Sequence, residues 1–587
     1  MTKKLVHERF SDWGHFLKAS NTPKEVILRS LEIMNHNNSV CGYLMPVSAF
    51  HLQDDELVNN LTKWRNEKSF AYPTRFNATN ESTARWLKSK VIENDFRVMF
   101  LVVDLKLQVI GHLGVVYNFE QDFFELDNVL RGESTGKGLL HLAIQRLEIE
   151  LETEFSIEYL ALRVLLSNEH AINFYKKLNY FETSRISLTQ SANTAEFALV
   201  PGEPTEDWFV TMKKSLEDVI AVPSQILTAG PSISSLESTL VFDATTNGWN
   251  NKHSEYLQKF EMEFAELVGV KYAMATSSCT GALHLALLAL GIGEGDEVIV
   301  PEVTWVATAS AVRYVGATPV FAEIKSLDWT IDPKSIEALI TSRTRAIIPV
   351  HLYGYGADSP TIIDLAKKHN LFVVEDAAPA IGTEINGQRA GSFGDFGCYS
   401  FQGAKLLVTG EGGMLVTNDE KLFKKARKIQ DHGRKPGTFW IEELGYKYKM
   451  NNITAALGLG QIRRSENQIF RKRRINGWYK EFLADMPEIS FQEESPNTKS
   501  ICWMTSVCLS QNSKIKRDEV IDRLATVGID TRPVFPAISQ YEFWPRKFET
   551  QPVAKIIGSN GINLPSGVML TRKLIERVAF EFRQALK

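Results

Sequence analysis

The sequence lacks the features of membrane, secreted and nucleic-acid-binding proteins. No stretch approaches the roughly 18 apolar residues of a membrane span, and the N-terminus MTKKLVHERFSDWGHF has no apolar signal-peptide core. The five cysteines are odd in number and lack paired CxxC spacing, which argues against a disulfide framework and a zinc site. With 66 basic and 70 acidic residues, the net charge of −4 offers no basic footprint for nucleic acid. We therefore expect a cytoplasmic protein without membrane or nucleic-acid partners and without a resident metal.

The length of 587 residues exceeds what one hydrophobic core supports, since domains usually span about 100–200 residues. In PKEVILRSLEIM, apolar residues recur at helical intervals behind a Thr-Pro start, which predicts a helical extension over 1–44. The segment EDVIAVPSQILTAGPS gathers Pro, Gly and Ser after the strand-like WFVTMKKSL. We therefore predict one domain over 45–218 and a second over 219–587.

Both domains have the pattern of α/β proteins. In the first, strand-like FRVMFLVVD, QVIGHLGVVYN and IEYLALRVLL alternate with helix-like GLLHLAIQRLEIEL and EHAINFYKKL. In the second, YAMAT, EVIVP, TPVFAEI, TRAIIPVHLY and LFVVEDA alternate with GALHLALLALG, TASAVRYVG and SPTIIDLAKKHN. The second pattern predicts a mostly parallel sheet covered by helices, followed by a smaller C-terminal subdomain that starts near 455–470.

Lys405 and Asp376 carry the strongest chemical signal. Lys405 lies in GCYSFQGAKLLVTGEGGML, and Asp376 ends the strand in LFVVEDA. A lysine amine can condense with an aldehyde cofactor, and a carboxylate opposite a pyridine nitrogen keeps that nitrogen protonated. In TSSCTGALHLALLAL, the amides of Thr280 and Gly281 open a helix and would face a phosphate. Each feature alone also fits a helix cap, a turn or a surface charge, but together they predict a pyridoxal phosphate (PLP) site.

From about 222 to 587 the chain resembles the nucleotide-sugar aminotransferases of the DegT/DnrJ type, close to perosamine synthase-like members. The resemblance runs through VVEDAAPAIG, GSFGDFGCYSF, TGEGGMLVTND and LPSGVMLT. It implies a PLP-dependent fold type I homodimer with active sites at the subunit interface. It also implies site roles: Lys405 as the Schiff-base lysine, Asp376 as the partner of the pyridine nitrogen, Trp305 as the aromatic stacked on the cofactor, and Thr280, Gly281 and Ser400 as phosphate contacts. For Trp305 the structural alternative is a core aromatic.

Three positions depart from the family pattern. Lys447 in GYKYKM replaces an Asn that reaches the phosphate across the dimer interface, and a cation could still serve an anion there. Pro379 and Ile538 stand where polar residues are common and where sugar contacts are expected. The implied reaction takes an amino group from glutamate to a nucleotide-linked keto sugar, at carbon 4 or alternatively carbon 3, with Lys405 moving the proton.

The first domain carries a second set of motifs. NVLRGESTGKGLLHLAIQRL places Gly136 and Gly138 at the entry to a helix, where backbone amides can face a pyrophosphate. With SNEHAINFYKKLNYFET and the WRN at 64–66, region 45–218 resembles GNAT acetyltransferases. The resemblance implies that acetyl-CoA is the cosubstrate and assigns its contacts: Ser134, Thr135, Gly136, Lys137 and Gly138 at the pyrophosphate, Asn168 at the cofactor, and Tyr175 as the acid that protonates the thiolate. The structural alternatives are a helix cap for Asn168 and helix packing for Tyr175.

Glu133 stands where the acetyltransferase pattern usually has Gln or Arg, and no general base is assigned, although Glu125 and Asp127 lie on the preceding strand. The leading hypothesis is amination of a nucleotide-linked 4-keto-6-deoxyhexose followed by N-acetylation, which would supply a surface polysaccharide precursor. A non-catalytic first domain remains an alternative. A dehydratase is disfavoured because Lys405 is retained, and a regulator because no basic DNA-binding segment is present.

Overall fold

The computed structural model describes residues 10–11, 13–15, 17–19, 22, 26–27, 29–35, 39–118, 123–133, 138–155, 157, 159–190, 197–201, 207–216, 225–545 and 547–587. The chain divides into two compact units, Met1–Val222 and Pro223–Lys587. The predicted boundary between 218 and 219 lies beside this division. All five cysteines are free thiols. Over the described ranges, no helix is both long and apolar enough to cross a membrane.

The first unit contains one ten-stranded sheet in the order β1-β2-β4-β5-β6-β7-β10-β8-β9-β3. Within it β6 and β7 pair in parallel, whereas the other strand pairs given for this sheet are antiparallel. Its described strands are β1 Leu31–Met34, β2 Val40–Pro46, β3 Thr74–Arg75, β4 Arg97–Asp104, β5 Val109–Asn118, β6 Phe123–Arg131, β7 Tyr159–Leu165, β8 Phe181–Gln190, β9 Phe197–Pro201 and β10 Asp207–Ser215. Its described α-helices are α1 Asp55–Glu67, α2 Asn80–Trp86, α3 Leu139–Phe155 and α4 Glu169–Lys177.

The predicted helical extension over 1–44 is wrong from Leu31 onward. Residues 10–11, 13–15, 17–18 and 26–27 are helical, but LEIM forms β1, which pairs antiparallel with β2. Leu31 and Ile33 are both buried, an alternation that fits a strand as well as the helical spacing fitted a helix. Because the apolar run is so short, its pairing with β2 rather than its own spacing determines that it forms a strand. Strand β2 also crosses the predicted boundary at 44/45.

The second unit is built mainly on a seven-stranded sheet. Its described strands are β11 Tyr272–Thr276, β12 Glu297–Pro301, β13 Thr318–Ala322, β14 Thr344–Ile347, β15 Phe372–Asp376, β16 Glu384–Ile385, β17 Gln388–Arg389, β18 Phe396–Ser400, β19 Gly413–Thr417, β20 Ile489–Phe491, β21 Thr498–Lys499, β22 Thr505–Leu509, β23 Arg532–Pro533 and β24 Gly561–Leu564. Its described α-helices are α5 Ser235–Asn247, α6 Glu255–Val268, α7 Cys279–Leu290, α8 Ala307–Tyr314, α9 Pro333–Leu339, α10 Ser359–His369, α11 Glu420–Gln430, α12 Asn452–Arg463, α13 Ser465–Phe482, α14 Arg517–Thr526, α15 Pro552–Asn560 and α16 Arg572–Ala585.

The order of the large sheet is β11-β19-β18-β15-β14-β12-β13. β19 is antiparallel to both of its neighbours, and the remaining strands run parallel to one another. The strands EVIVP and FGCYS are buried along their whole length because helices cover both faces of the sheet. The carboxyl ends of the parallel strands therefore meet at one edge, which is where open α/β sheets bind ligands.

A smaller sheet follows the long helix α13, in the order β20-β22-β24-β23. Its core includes Trp478 from α13, Val507 and Ile562 from the strands, and Phe582 from α16. This sheet starts after the region 455–470 where the C-terminal subdomain was predicted to begin.

Candidate active site

Asp376 lies at the carboxyl end of β15, in the middle of the large sheet. Its Oδ2 accepts a hydrogen bond from Thr308 Oγ1 at 2.7 Å, and its Oδ1 accepts one from the Ala378 amide at 3.1 Å. Burial raises the pKa of this carboxyl, while the hydrogen bond from Thr308 and the positive charge of Lys405 act in the opposite direction. The structure thus holds a buried carboxylate in a fixed orientation close to a lysine.

Lys405 follows Ser400, the last residue of β18, so its loop leaves the same edge of the sheet. Its Nζ lies 3.8 Å from the centre of the Trp503 ring. Burial lowers the pKa of Lys405 to about 8, and the charge of Asp376 limits this fall. A lysine with such a pKa has an appreciable share of neutral amine near neutral pH, which is the nucleophilic form.

The N-terminus of α7 lies at this edge because α7 follows β11 directly. Ser278 caps the helix, and its Oγ accepts from the Gly281 amide at 3.0 Å. The Gly281 amide is therefore engaged within the chain, whereas an amide in the first turn such as that of Thr280 has no intrahelical partner. A Cβ on Gly281 would come 3.2 Å from the Tyr448 ring, so glycine permits this close approach.

Trp305 is 60% exposed, which rules out the alternative of a core aromatic. It lies between β12 and α8, and its ring centre is 5.6 Å from that of Phe535. Phe535 stacks on Tyr353 at 5.2 Å, and Tyr353 stacks on Trp503 at 6.1 Å. A row of four aromatic rings therefore runs from Trp305 to the ring beside Lys405. Phe535, Tyr353 and Trp503 were not predicted as site residues, because they come from distant segments of the chain.

The positions that depart from the family pattern lie in different surroundings. Lys447 is exposed, and its Nζ pairs with Asp431 Oδ1 at 2.8 Å within the same chain. The hydrogen bond from Lys447 is the main cause that lowers the pKa of Asp431 to about 2, and the hydrogen bond from Arg434 lowers it as well. Pro379 and Ile538 are buried, and Ile538 belongs to the apolar core that covers the sheet. Their side chains contribute packing rather than exposed surface.

A buried polar network supports the strand that carries Asp376. His351 Nε2 hydrogen-bonds to Glu375 Oε2 at 3.0 Å, and the His351 amide donates to the Asp376 carbonyl at 3.1 Å. Glu375 Oε1 also accepts from the amides of Phe393 and Gly394. Burial alone would raise the pKa of Glu375, but these hydrogen bonds lower it. The network fixes the loops around Asp376, and its residues were not predicted from the sequence.

Glu302, the residue after β12, gives a pH-dependent prediction. It is fully buried, its Oε2 accepts from the Gln551 amide at 2.8 Å, and the Ser539 hydroxyl donates to its other oxygen. Burial raises its pKa from 4.5 to about 7. Between pH 4.5 and about 7 the folded protein therefore binds more protons than the unfolded chain. The stabilisation that protonated Glu302 contributes is present at low pH and is lost as pH rises through about 7.

We expect Glu302→Gln to flatten the dependence of stability on pH in that window by up to about 3 kcal/mol. Thermal unfolding of both proteins at several pH values measures this slope. Glu337→Gln, at an exposed residue that pairs with Lys368, serves as the control. Equal slopes in wild type and Glu302→Gln would contradict the prediction.

The predicted cofactor residues of the first unit are only partly described. Ser134, Thr135, Gly136 and Lys137 lie outside the described residues. Gly138 has a φ of 86° and immediately precedes α3, a conformation that favours glycine.

Asn168 caps α4, with its Oδ1 accepting from the Ala171 amide at 3.2 Å, as in the structural alternative. Tyr175 is buried. Burial is the main cause that raises its pKa, and the nearby Tyr72 and Asp127 raise it further, so the hydroxyl stays protonated.

The acidic residues on β6 and just after it already have hydrogen-bond or ion-pair partners. Arg163 binds Glu125 through two hydrogen bonds of 2.7 and 2.8 Å. Asp127 pairs with Arg97 Nε at 2.9 Å. Glu133 accepts a hydrogen bond from the Trp64 indole at 3.2 Å. These contacts favour a structural role for all three carboxylates over a role as general base.

The comparisons with known proteins concern the second unit. The profile of the DegT/DnrJ/EryC1/StrS aminotransferase family matches residues 231–583, which include the whole large sheet and the edge with Lys405 and Asp376. The chain belongs to this family. The expected α/β fold of PLP-dependent aminotransferases is therefore confirmed for the second unit, and the family match does not extend to the first.

Two curated relatives and one solved structure illustrate the similarity. The chain is 39% identical to GDP-perosamine synthase of Caulobacter vibrioides over 365 residues, covering 62% of this chain and 98% of that protein. It is 40% identical over 329 residues to a UDP-N-acetyl-3-dehydro-alpha-D-glucosamine 3-aminotransferase of Acidithiobacillus ferrooxidans, covering 56% and 87%. A Streptococcus pneumoniae protein named as a sugar aminotransferase, solved in its PMP form, is 26% identical with a TM-score of 0.59, covering 62% and 98%.

Proposed function

We propose that the second unit transfers an amino group from glutamate to a nucleotide-linked 4-keto-6-deoxyhexose, and that the first unit acetylates the new amine from acetyl-CoA. The observation that carries the first part is that the buried Asp376 carboxylate and Lys405 lie at the same carboxyl edge of the large sheet, close enough for their charges to act on each other's pKa. The product would be a precursor of a surface polysaccharide.

The residues at this edge fit PLP. The Asp376 carboxylate is held by Thr308 and Ala378, which suits a group that keeps a pyridine nitrogen protonated. The first-turn amide of Thr280 and the Ser400 side chain suit the phosphate, and the exposed Trp305 ring suits stacking. When bound, PLP supplies an electron sink for the bonds at the reacting carbon.

Lys405 supplies the acid–base chemistry in this proposal. Because its pKa is lowered to about 8, the amine can both accept and return a proton near neutral pH. Asp376 limits the fall of this pKa, so the two side chains work as a pair. A homodimer would bring Lys447 of one subunit to the phosphate of the other, in place of its present contact with Asp431.

The choice of substrate rests on the relatives. The 39% identity to a GDP-perosamine synthase favours a GDP-linked sugar, and the resemblance to perosamine synthase-like members favours amination at carbon 4. The Acidithiobacillus relative at 40% identity, whose name specifies a 3-aminotransferase, makes carbon 3 of a UDP-linked sugar the alternative.

Strand topology supports the acetyltransferase part. Seven strands follow the order β2-β4-β5-β6-β7-β10-β8, and the parallel pair β6 and β7 shares only three residue pairs, from Phe124 with Leu160 to Leu126 with Leu162. Beyond these three pairs the facing edges of the described strands β6 and β7 are not joined to each other, which suits an extended ligand that inserts between them. The protonated Tyr175 can donate a proton to a departing thiolate.

A non-catalytic binding module is the second candidate function of the first unit. It is favoured because Glu125 and Asp127 are held by Arg163 and Arg97.

Stepwise mass spectrometry tests the order of the two reactions. Glutamate alone should convert the keto sugar to the mass of an amine, and later addition of acetyl-CoA should add the mass of one acetyl group. Tyr175→Phe should slow only the second step, by about 10²-fold, because it removes the proton donor. An acetyl gain without prior amination, or an amine that acetyl-CoA leaves unchanged, would reject the two-step scheme.

A further inference from the structure

The first unit contains a cavity of about 220 Å³ whose walls combine aromatic and polar side chains. Tyr72, Phe76 and Trp86 form apolar walls, and Arg65, His112 and Asn128 contribute polar groups. An engineered protein cavity of about 150 Å³ holds one benzene ring. A volume of 220 Å³ therefore suits a single six-membered ring with its substituents and is too small for a complete nucleotide sugar.

Contacts with Tyr72 and Thr74 position the Arg65 side chain in this cavity, but one of its hydrogen-bond donors has no partner among the described residues. Its guanidinium carbon lies 3.7 Å from the centre of the Tyr72 ring, and Nη2 donates to the Thr74 carbonyl at 2.7 Å. Its Nη1 is buried and has no hydrogen-bond partner within the part of the chain that the structure describes. Buried donors are nearly always paired, so this one points to a missing acceptor such as a ligand hydroxyl.

His112 offers the complementary group. Its Nδ1 lies 2.7 Å from the Asn128 carbonyl, which can only accept, so the ring proton lies on Nδ1 and Nε2 carries a lone pair. Burial lowers the pKa of His112 to about 4, with the Asn128 contact opposing this fall, so the ring is neutral at physiological pH. The cavity therefore presents a donor from Arg65 and an acceptor from His112.

The cavity lies next to the predicted acid of the acetyl transfer. Tyr72, which lines the cavity, is close enough to Tyr175 to raise its pKa, and Asp127 acts on both tyrosines. The WRN segment builds this arrangement, because Trp64 hydrogen-bonds to Glu133, Arg65 lines the cavity, and the Asn66 side chain holds both backbone groups of Ala78 in the cavity wall.

We propose that this cavity binds the hexose ring of the amino sugar, with the ring against the aromatic walls, its polar substituents on Arg65 and His112, and the nucleotide outside. Aromatic walls with a few convergent polar groups are the usual chemistry of small-ligand sites. This inference rests on the proposed function in one respect, since the amino sugar is the product expected from the second unit.

A local spectroscopic probe tests the proposal in the full chain. Trp86 lines the cavity, so the protein is labelled with 5-fluorotryptophan, and the Trp86 fluorine resonance is assigned by its absence in Trp86→Phe. Adding a 4-amino-4,6-dideoxyhexose should shift this resonance saturably, and GDP alone should leave it unchanged. Ala78→Leu, which fills the cavity, should abolish the shift, whereas Phe70→Ala, at an exposed aromatic in the same segment, should retain it.

Acetyl transfer is measured separately on the same proteins. His112→Phe should raise the KM for the amino sugar about tenfold while the KM for acetyl-CoA stays unchanged, because it removes the Nε2 acceptor offered to the sugar. The Nδ1 hydrogen bond to the Asn128 carbonyl is lost with it, so thermal unfolding of the variant is measured in parallel. A Trp86 shift without acetyl transfer would refute the acetyltransferase and leave the cavity proposal standing. A shift caused by GDP alone, an amino sugar that leaves Trp86 unshifted, or a shift that survives Ala78→Leu would overturn the cavity proposal.

Discussion

Replacing Lys405 with alanine is expected to reduce transamination by at least about 10³-fold, since acid–base catalysis by one positioned group alone contributes about 10²–10⁴-fold. The amine of Lys405 is the nucleophile and the proton carrier in the proposed reaction. Its pKa of about 8 and its place beside Asp376 suit both tasks. Steady-state turnover with glutamate and the keto sugar, together with the visible absorbance of protein-bound PLP, measures the loss.

Two further variants separate amine chemistry from charge and from folding. Lys405→Arg keeps a cation next to Trp503 but cannot condense with an aldehyde, so it should be as inactive as Lys405→Ala. Lys425→Ala changes an exposed lysine on α11 and should retain full turnover. Wild-type activity in Lys405→Ala, with an unchanged thermal unfolding profile, would refute the assignment of Lys405.

The elements around Lys405 and Asp376 could be predicted because their signals are local. YAMAT, EVIVP and LFVVEDA are short apolar runs bounded by turn residues, and each forms a strand of the large sheet. GALHLALLAL lies within α7, where Ser278 caps the start and Gly291, with a φ of 77°, follows the end. Parallel strands bring their carboxyl ends together, so the order of motifs along the chain already indicated one shared edge.

Features that depend on distant segments could not be predicted. The row of rings from Trp305 to Trp503 joins four segments, and none of them has a periodic pattern that indicates stacking. Likewise, LEIM fits a helix and a strand equally well until β2 is seen to pair with it. Ile538 was placed at a sugar contact by its position in a motif, yet its side chain packs into the core. Side-chain direction and long-range pairing are tertiary properties that spacing alone does not encode.

The substitution Asp376→Asn is expected to lower kcat by about 10²–10³-fold while PLP still binds, as for the loss of one preorganised electrostatic contact in an active site. Asparagine has the same shape, and its carbonyl can still accept from the Ala378 amide. It lacks the negative charge that holds a proton on a pyridine nitrogen and that supports the pKa of Lys405. The pH profile of kcat should therefore shift to lower pH as the pKa of Lys405 falls further.

Thr308→Val separates the effect of the Asp376 charge from the effect of the hydrogen bond that Thr308 donates to it. It removes the 2.7 Å hydrogen bond to Asp376 Oδ2 but keeps the carboxylate, so the loss should be nearer tenfold, as for one hydrogen bond to a charged group. Asp364→Asn, at an exposed acid on α10, should leave kcat unchanged. If Asp376→Asn and Thr308→Val were equally impaired, the hydrogen bond rather than the charge would be the decisive property, and the role of Asp376 opposite the pyridine nitrogen would have to be abandoned.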